Sequence, residues 1–212
     1  MACDPAALKS AISTADTGGD AVLNLTPYCV YEYSAQDSGD DALPAITVPL
    51  TIHGFHATIL RDTGTSTPAF RILDVNGGNL TMDDVTVMNG SVIGVSPSFG
   101  GNIYVRGNGT LTTTGVTIQG GRSRALGAGP YIASGSTATL GTGNLATGRY
   151  SRGAGIYRAV GVATDIMSLT STSITGNKAT GTGSQTGGPL WTVPLVSGSS
   201  VMFAYSPPPR EY

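Results

Sequence analysis

The stretch Leu80-Thr-Met-Asp-Asp-Val-Thr-Val-Met-Asn-Gly90 decides the fold, because it returns as Leu111-Thr-Thr-Thr-Gly-Val-Thr-Ile-Gln-Gly-Gly121 and Leu169-Thr-Ser-Thr-Ser-Ile-Thr-Gly-Asn177. A degenerate copy, Leu140-Gly-Thr-Gly-Asn-Leu145, fills the gap, and Leu50-Thr-Ile-His-Gly-Phe55 precedes the set. The leucines fall at 50, 80, 111, 140 and 169, a period near 30. Within each block apolar residues alternate with Thr or Ser, the pattern of a strand with one buried face. A two-residue polar interruption splits each block, as at His53-Gly54, Asp83-Asp84 and Thr114-Gly115, and reads as a turn.

Strands this short cannot each bury an apolar face alone, so repeats of constant length must stack. Coils about 4.8 Å apart would align like residues in columns down the interior. The expected columns are Leu80, Leu111, Leu140 and Leu169, and Val85, Val116, Leu145 and Ile174. A second element recurs as Gly100-Gly-Asn-Ile-Tyr104, Gly153-Ala-Gly-Ile-Tyr157 and Gly187-Gly-Pro-Leu-Trp191, with the aliphatic-aromatic pair inverted in Gly127-Ala-Gly-Pro-Tyr-Ile132.

The first residues differ in kind. Asp4 suits an N-cap and Pro5 the first helical position, and Leu8, Ala11, Ile12 and Ala15 form one apolar face before Gly18-Gly19. A solenoid end exposes an apolar cross-section and open strand edges, so this helix is expected to cap it. The resulting division is a single domain, 1–212, with a helical cap at 3–20, coils at 21–188 and a C-terminal cap or tail at 189–212, where Pro189, Pro194 and Pro207-Pro-Pro209 break the repeat.

Composition narrows the class. With 11 Lys+Arg against 13 Asp+Glu and 40% hydrophobic residues along 212 positions, neither charge-driven disorder nor nucleic-acid binding is expected. Apolar runs such as Val92 to Val95 are far shorter than the ~20 residues of a membrane span. Cys3 and Cys29 are compatible with one disulfide, worth about 3 kcal/mol in the chain-entropy model, or with two buried thiols. Met1 followed by Ala-Cys-Asp-Pro looks like a start placed at a trimmed secretory boundary, so a secreted, extracellular protein is expected.

These residues resemble the right-handed parallel β-helix repeat proteins of the pectate-lyase-like superfamily. The likeness is to secreted actinobacterial members that open with Cys, a Leu-x-x-Ala-Ile helix (here Leu8-Lys-Ser-Ala-Ile12) and a second Cys, then continue with Gly-Gly-x-Ile-Tyr and Leu-Thr-Leu-x-x-x-Thr-Val-x-Gly-Asn units. It covers about residues 3–180, and the repeat departs from it between Arg122 and Ser151 and after Gly188. The resemblance implies an all-β, right-handed parallel β-helix with a short N-terminal capping helix. It says little about activity, since the architecture hosts lyases, hydrolases, adhesins and scaffolds.

Candidate chemistry starts at Asp83-Asp84, the adjacent carboxylates within the repeats, with His53 aligned one coil above Asp83. A lyase like the superfamily's pectate-cleaving members would hold Ca²⁺ on carboxylates and use Arg or Lys as base; a hydrolase would need two carboxylates at controlled spacing. Asp83, Asp84 and Asp62 with Arg106 or Arg71 are the catalytic candidates, and Asp74 and Arg61 could assist. Turn formers occupy the aligned positions in every coil, so plain turn chemistry competes with that reading. Asp40-Asp41 reads as solvated loop, and His53 with His56 is too sparse a set for a metal site. No cofactor is expected beyond Ca²⁺ in the lyase case.

Tyr104, Tyr157 and Trp191, with Tyr131 close by, would form an outward ladder on which sugar rings could stack, or ordinary packing beneath the loops. Residues 85–164 carry six arginines, among them Arg122, and no Asp or Glu, a local charge of +6 that could attract an acidic glycan. The expected function is non-catalytic glycan binding or scaffolding. The alternatives are a small carbohydrate-active enzyme on an acidic glycan, lyase before hydrolase, and a cyclase or isomerase using the solenoid groove.

Overall fold

The computed structural model of the protein describes residues 1–37, 39–146, 156–158, 167–169 and 172–175. The helix α1 (Pro5–Gly18) opens the chain, followed by β1 (Ala21–Asn24), β2 (Val30–Tyr33), β3 (Leu50–Arg61), β4 (Leu73–Asn76), β5 (Asn79–Met88), β6 (Ile103–Arg106) and β7 (Thr110–Thr114). Then come β8 (Val116–Gln119), β9 (Pro130–Ile132), β10 (Thr137–Leu140), β11 (Gly143–Ala146), β12 (Tyr157–Arg158), β13 (Met167–Leu169) and β14 (Thr172–Thr175). Every strand pairing among the described residues is parallel. The chain is a parallel β-solenoid, with the expected short helix at its N-terminal end.

Two sheets run along the solenoid. In the first, β5 pairs through its N-terminal half with β7 and through its C-terminal half with β8, so the sheet is folded along a corner into two faces. The second sheet, β4-β6-β9-β12, supplies the remaining wall. Inward residues fill the space between them: Leu50, Ile52, Ile59, Leu80, Met82, Val87, Leu111 and Ile118 from the first sheet, and Leu73, Val75, Ile103, Val105 and Ile132 from the second, all nearly or fully excluded from solvent.

The register bears out the stacking of Leu50 on Leu80 and Leu80 on Leu111. It then departs from the expected columns. Ala138, not Leu140, lies against Leu111, and Leu140 lies against Thr113. Likewise Gly143 meets Val116, while Leu145 pairs with Ile118 and Ile174. The coil that starts at Leu111 is therefore two residues shorter than leucine-to-leucine counting implies. A slip of two keeps every side chain on its own face, so the interior stays apolar and the slip leaves no trace in the alternation.

The helix caps the first coil as anticipated. The Asp4 carboxylate accepts a hydrogen bond from the Ala6 N–H at 2.9 Å, and Leu8, Ile12 and Ala15 are buried. Two tyrosines of β2 tie it down: the Tyr31 hydroxyl donates to the Ala2 carbonyl at 3.3 Å and the Tyr33 hydroxyl to the Pro5 carbonyl at 3.0 Å. Burial pushes the Tyr33 phenol well above its usual pKa, so it stays a neutral donor. Cys3 and Cys29 form the disulfide, with Cα atoms 5.6 Å apart, pinning the start of the helix to the first coil. The C-terminal cap at 189–212 and the coils around Arg149 and Arg152 lie outside the described residues.

If stacked columns carry the stability, Leu80→Ala, which empties a site that is 1% exposed, lowers unfolding free energy by about 2–5 kcal/mol in urea titration. The outward neighbour Thr81, which is exposed, tolerates alanine within about 0.5 kcal/mol.

Candidate functional site

The corner that folds the first sheet gathers four of the six non-glycine residues with left-handed backbone among the described residues. Tyr28 (φ 58°), Phe55 (φ 49°), His56 (φ 65°) and Asp84 (φ 48°) occupy the left-handed region at successive coils, and only at Gly115 (φ 67°) does glycine take over. Bulky residues pay for that conformation, and such strain gathers where side chains must be aimed. Between the pairs His53–Asp83 and Ala57–Val85 the upper coil has three residues, 54–56, against Asp84 alone below. The upper corner therefore bulges outward. Gly54 makes this possible, since a Cβ there would sit 2.4 Å from the Asp84 carbonyl oxygen.

Two histidine–aspartate pairs brace the bulge. His53 Nδ1 lies 2.6 Å from Asp83 Oδ2, as the leucine alignment anticipated, and His56 Nδ1 lies 2.7 Å from Asp84 Oδ1. A carboxylate on Nδ1 selects the tautomer that leaves Nε2 as an open acceptor. The rings beside them are exposed: Tyr28 is 74% and Phe55 44% accessible. Tyr28 stacks on His56 with centroids 5.2 Å apart, Phe55 tilts toward His53 at 6.3 Å, and the Tyr28 N–H donates to the Phe55 carbonyl at 3.0 Å. Val22 and Val30, outward residues on either side of the same corner, are also exposed, so an apolar ridge wraps the first two coils.

The outer surface of the second sheet gathers a different group. Register places Asp74, Tyr104, Tyr131 and Tyr157 in one column, which bears out the alignment of the tyrosines. Their rings are occupied with one another. Tyr131 stacks parallel to Tyr157 at 5.4 Å and to Phe99 at 4.7 Å, and is only 7% exposed. Arg71 and Arg106 place their guanidinium groups 5.0 and 5.5 Å from the centroid of Tyr104. The ladder packs under the Phe99 loop rather than offering bare faces. Trp191 lies outside the described residues.

The arginines here have structural duties. Arg106 grips buried Asp74 with Nε at 3.0 Å from Oδ1 and a terminal nitrogen at 2.7 Å from Oδ2, and the bidentate pair raises its own basicity further. Arg71, 4% exposed, donates to the Phe99 and Gly100 carbonyls and to Asp41 Oδ1 at 2.5 Å. Asp41 is thus not the solvated loop residue its Ser-Gly-Asp surroundings suggested. Burial drives its carboxyl up to about 6, opposed by the nearby Arg71.

The catalytic candidates do not converge. Asp83 and Asp84 sit at the corner; Arg71 and Arg106 belong to the second-sheet cluster. Asp62 stands past the end of β3, where its carboxylate accepts from the Thr67 hydroxyl at 2.6 Å and the Gly64 N–H at 2.9 Å, bonds that hold its carboxyl below the ordinary range. Arg122 is exposed, and its backbone bridges Ser91. Among the described residues no group of three or more His, Cys, Asp or Glu side chains is arranged to hold a metal ion. Sequence reasoning passed over Tyr28 and Phe55. Their signal is the longer corner of β3, visible only once Ala57 is set against Val85.

Asp41 makes a pH prediction. Its folded-state carboxyl is raised, so the folded protein binds the proton more tightly than the unfolded chain between about pH 4 and 6, and its contribution to stability falls as pH rises through that window. Compared with Asp41→Asn, the wild type therefore loses up to about 3 kcal/mol between pH 4 and 7 in paired urea titrations, a ceiling set by a raise of about two units. A constant difference across that range would show that burial does not govern this carboxyl. Comparison of the chain with protein-family models, with curated proteins and with solved structures finds no match, so the reading of its sites rests on the geometry itself.

Proposed function

We propose that this protein is a non-catalytic, secreted or cell-surface β-solenoid, akin to the pectate-lyase-like superfamily, that binds glycan at the corner of its first two coils. The observation that carries this reading is the pair of exposed rings, Tyr28 and Phe55, set on strained backbone beside two oriented imidazoles and two carboxylates. Sugar rings present apolar C–H faces to aromatic rings and hydroxyls to fixed polar groups, and this ridge offers both within one small surface. The rigid stack below supplies the scaffold that keeps them aimed. The disulfide, and the lack among the described residues of a helix long and apolar enough to cross a membrane, fit an extracellular setting.

Lyase action on an acidic glycan has less support. It calls for a carboxylate set and a base converging on one groove, whereas Asp62, Asp83 and Asp74 lie at different places around the coil and Arg71 spends its donors on backbone carbonyls.

Titration against a panel of oligosaccharides tests the reading. Tyr28→Ala combined with Phe55→Ala is expected to weaken binding at least tenfold with little loss of stability, because both side chains are exposed; Tyr104→Ala lowers the melting temperature and leaves binding intact. Unsaturated product appearing from polygalacturonate or alginate with Ca²⁺ would sink the non-catalytic assignment.

A further inference from the structure

Charge is partitioned along the chain. Residues 1–84 hold eleven acidic side chains against three Lys or Arg, a net charge of −8, while residues 85–164 carry +6. Because each turn climbs the solenoid by one strand spacing, the partition among the described residues, with Arg106, Arg122 and Arg124 on the basic side, also runs along the axis. The exposed ridge at Val22, Tyr28, Val30 and Phe55 lies wholly within the acidic part.

Building on the glycan reading of this corner, we propose that its ligand carries free amines, as in a polymer of glucosamine, and is neither acidic nor fully N-acetylated. Histidine engages one oxygen each of Asp83 and Asp84, and the side chains of these aspartates remain 37% and 43% exposed, which leaves the second oxygens for a ligand. An ammonium group has two stabilising contacts here: a charge-assisted hydrogen bond to carboxylate and the negative face of Tyr28 or Phe55. Both aspartates pair with imidazoles, and no guanidinium or ammonium takes part in those pairs. A uronic acid meets the opposite situation. Its carboxylate would approach two like charges in the −8 portion of the molecule. Acetylation removes the positive charge and keeps the ring, so it isolates the electrostatic contribution from stacking.

The experiment is calorimetric titration of the full chain with β-1,4-linked glucosamine oligomers, their N-acetylated counterparts of equal length, and oligogalacturonate, at low and high salt. The amine form is expected to bind at least tenfold more tightly than the acetylated form at low salt, with the gap closing as salt rises. Asp83→Asn with Asp84→Asn should abolish the gap between the amine and acetylated forms. Asparagine keeps an acceptor for each imidazole and tolerates the left-handed backbone at 84, so the fold is retained, as circular dichroism would verify. Equal binding of both forms, or tighter binding of oligogalacturonate, overturns the amine preference and leaves glycan binding standing. Absence of binding to all three, in a chain that is folded, removes both.

Discussion

In-register stacking of inward side chains is the constraint from which the rest of this molecule follows. No coil here buries its own apolar face. Leu80 is excluded from water because Leu50 lies on one side of it and Leu111 on the other, and the parallel ladders hold that spacing at every level. Stability is then a property of neighbours, and an unpartnered end is costly. The helix answers this at the N-terminal end, where Leu8, Ile12 and Ala15 cover the first coil and the disulfide, Tyr31 and Tyr33 lock the cover in place.

A stack this regular leaves function to its irregularities. The ladder absorbs extra residues at the corner, where the chain turns from one face to the next, and the three residues at 54–56 opposite Asp84 are such an addition. Their backbone is strained, yet it is held between paired strands on both sides and braced by His53–Asp83 and His56–Asp84. Rigid support beneath and displayed rings above give the corner the pre-organisation that a binding surface needs.

The second sheet uses polar chemistry for a different end. Asp41, Arg71, Asp74 and Arg106 surround Tyr104 and tie consecutive coils together through charge-assisted bonds. Such pairs add little net stability against their desolvation cost, but they tolerate only one register. They therefore favour a single alignment of the coils they join. The same packing occupies the tyrosine column that is legible in the aliphatic-aromatic repeats: Phe99, 32 positions before Tyr131, stacks on it.

Alternation of Thr with apolar residues at a period near 30 determined a stacked parallel solenoid and the placing of His53 over Asp83, and the capping helix was written in Asp4, Pro5 and the apolar face of Leu8, Ile12 and Ala15. These depend on local periodicity and on residue count per turn. Tertiary structure decided the remainder. Leu140 aligns with Thr113 because a two-residue shortening preserves inside and outside, so alternation cannot register it. Asp41 is buried because Arg71, thirty positions away, lies beside it, and Tyr28 meets His56 because one coil rests on the next. Which side chains share a face is written in the chain's own period; which ones touch across coils depends on turn lengths that only the closed stack specifies.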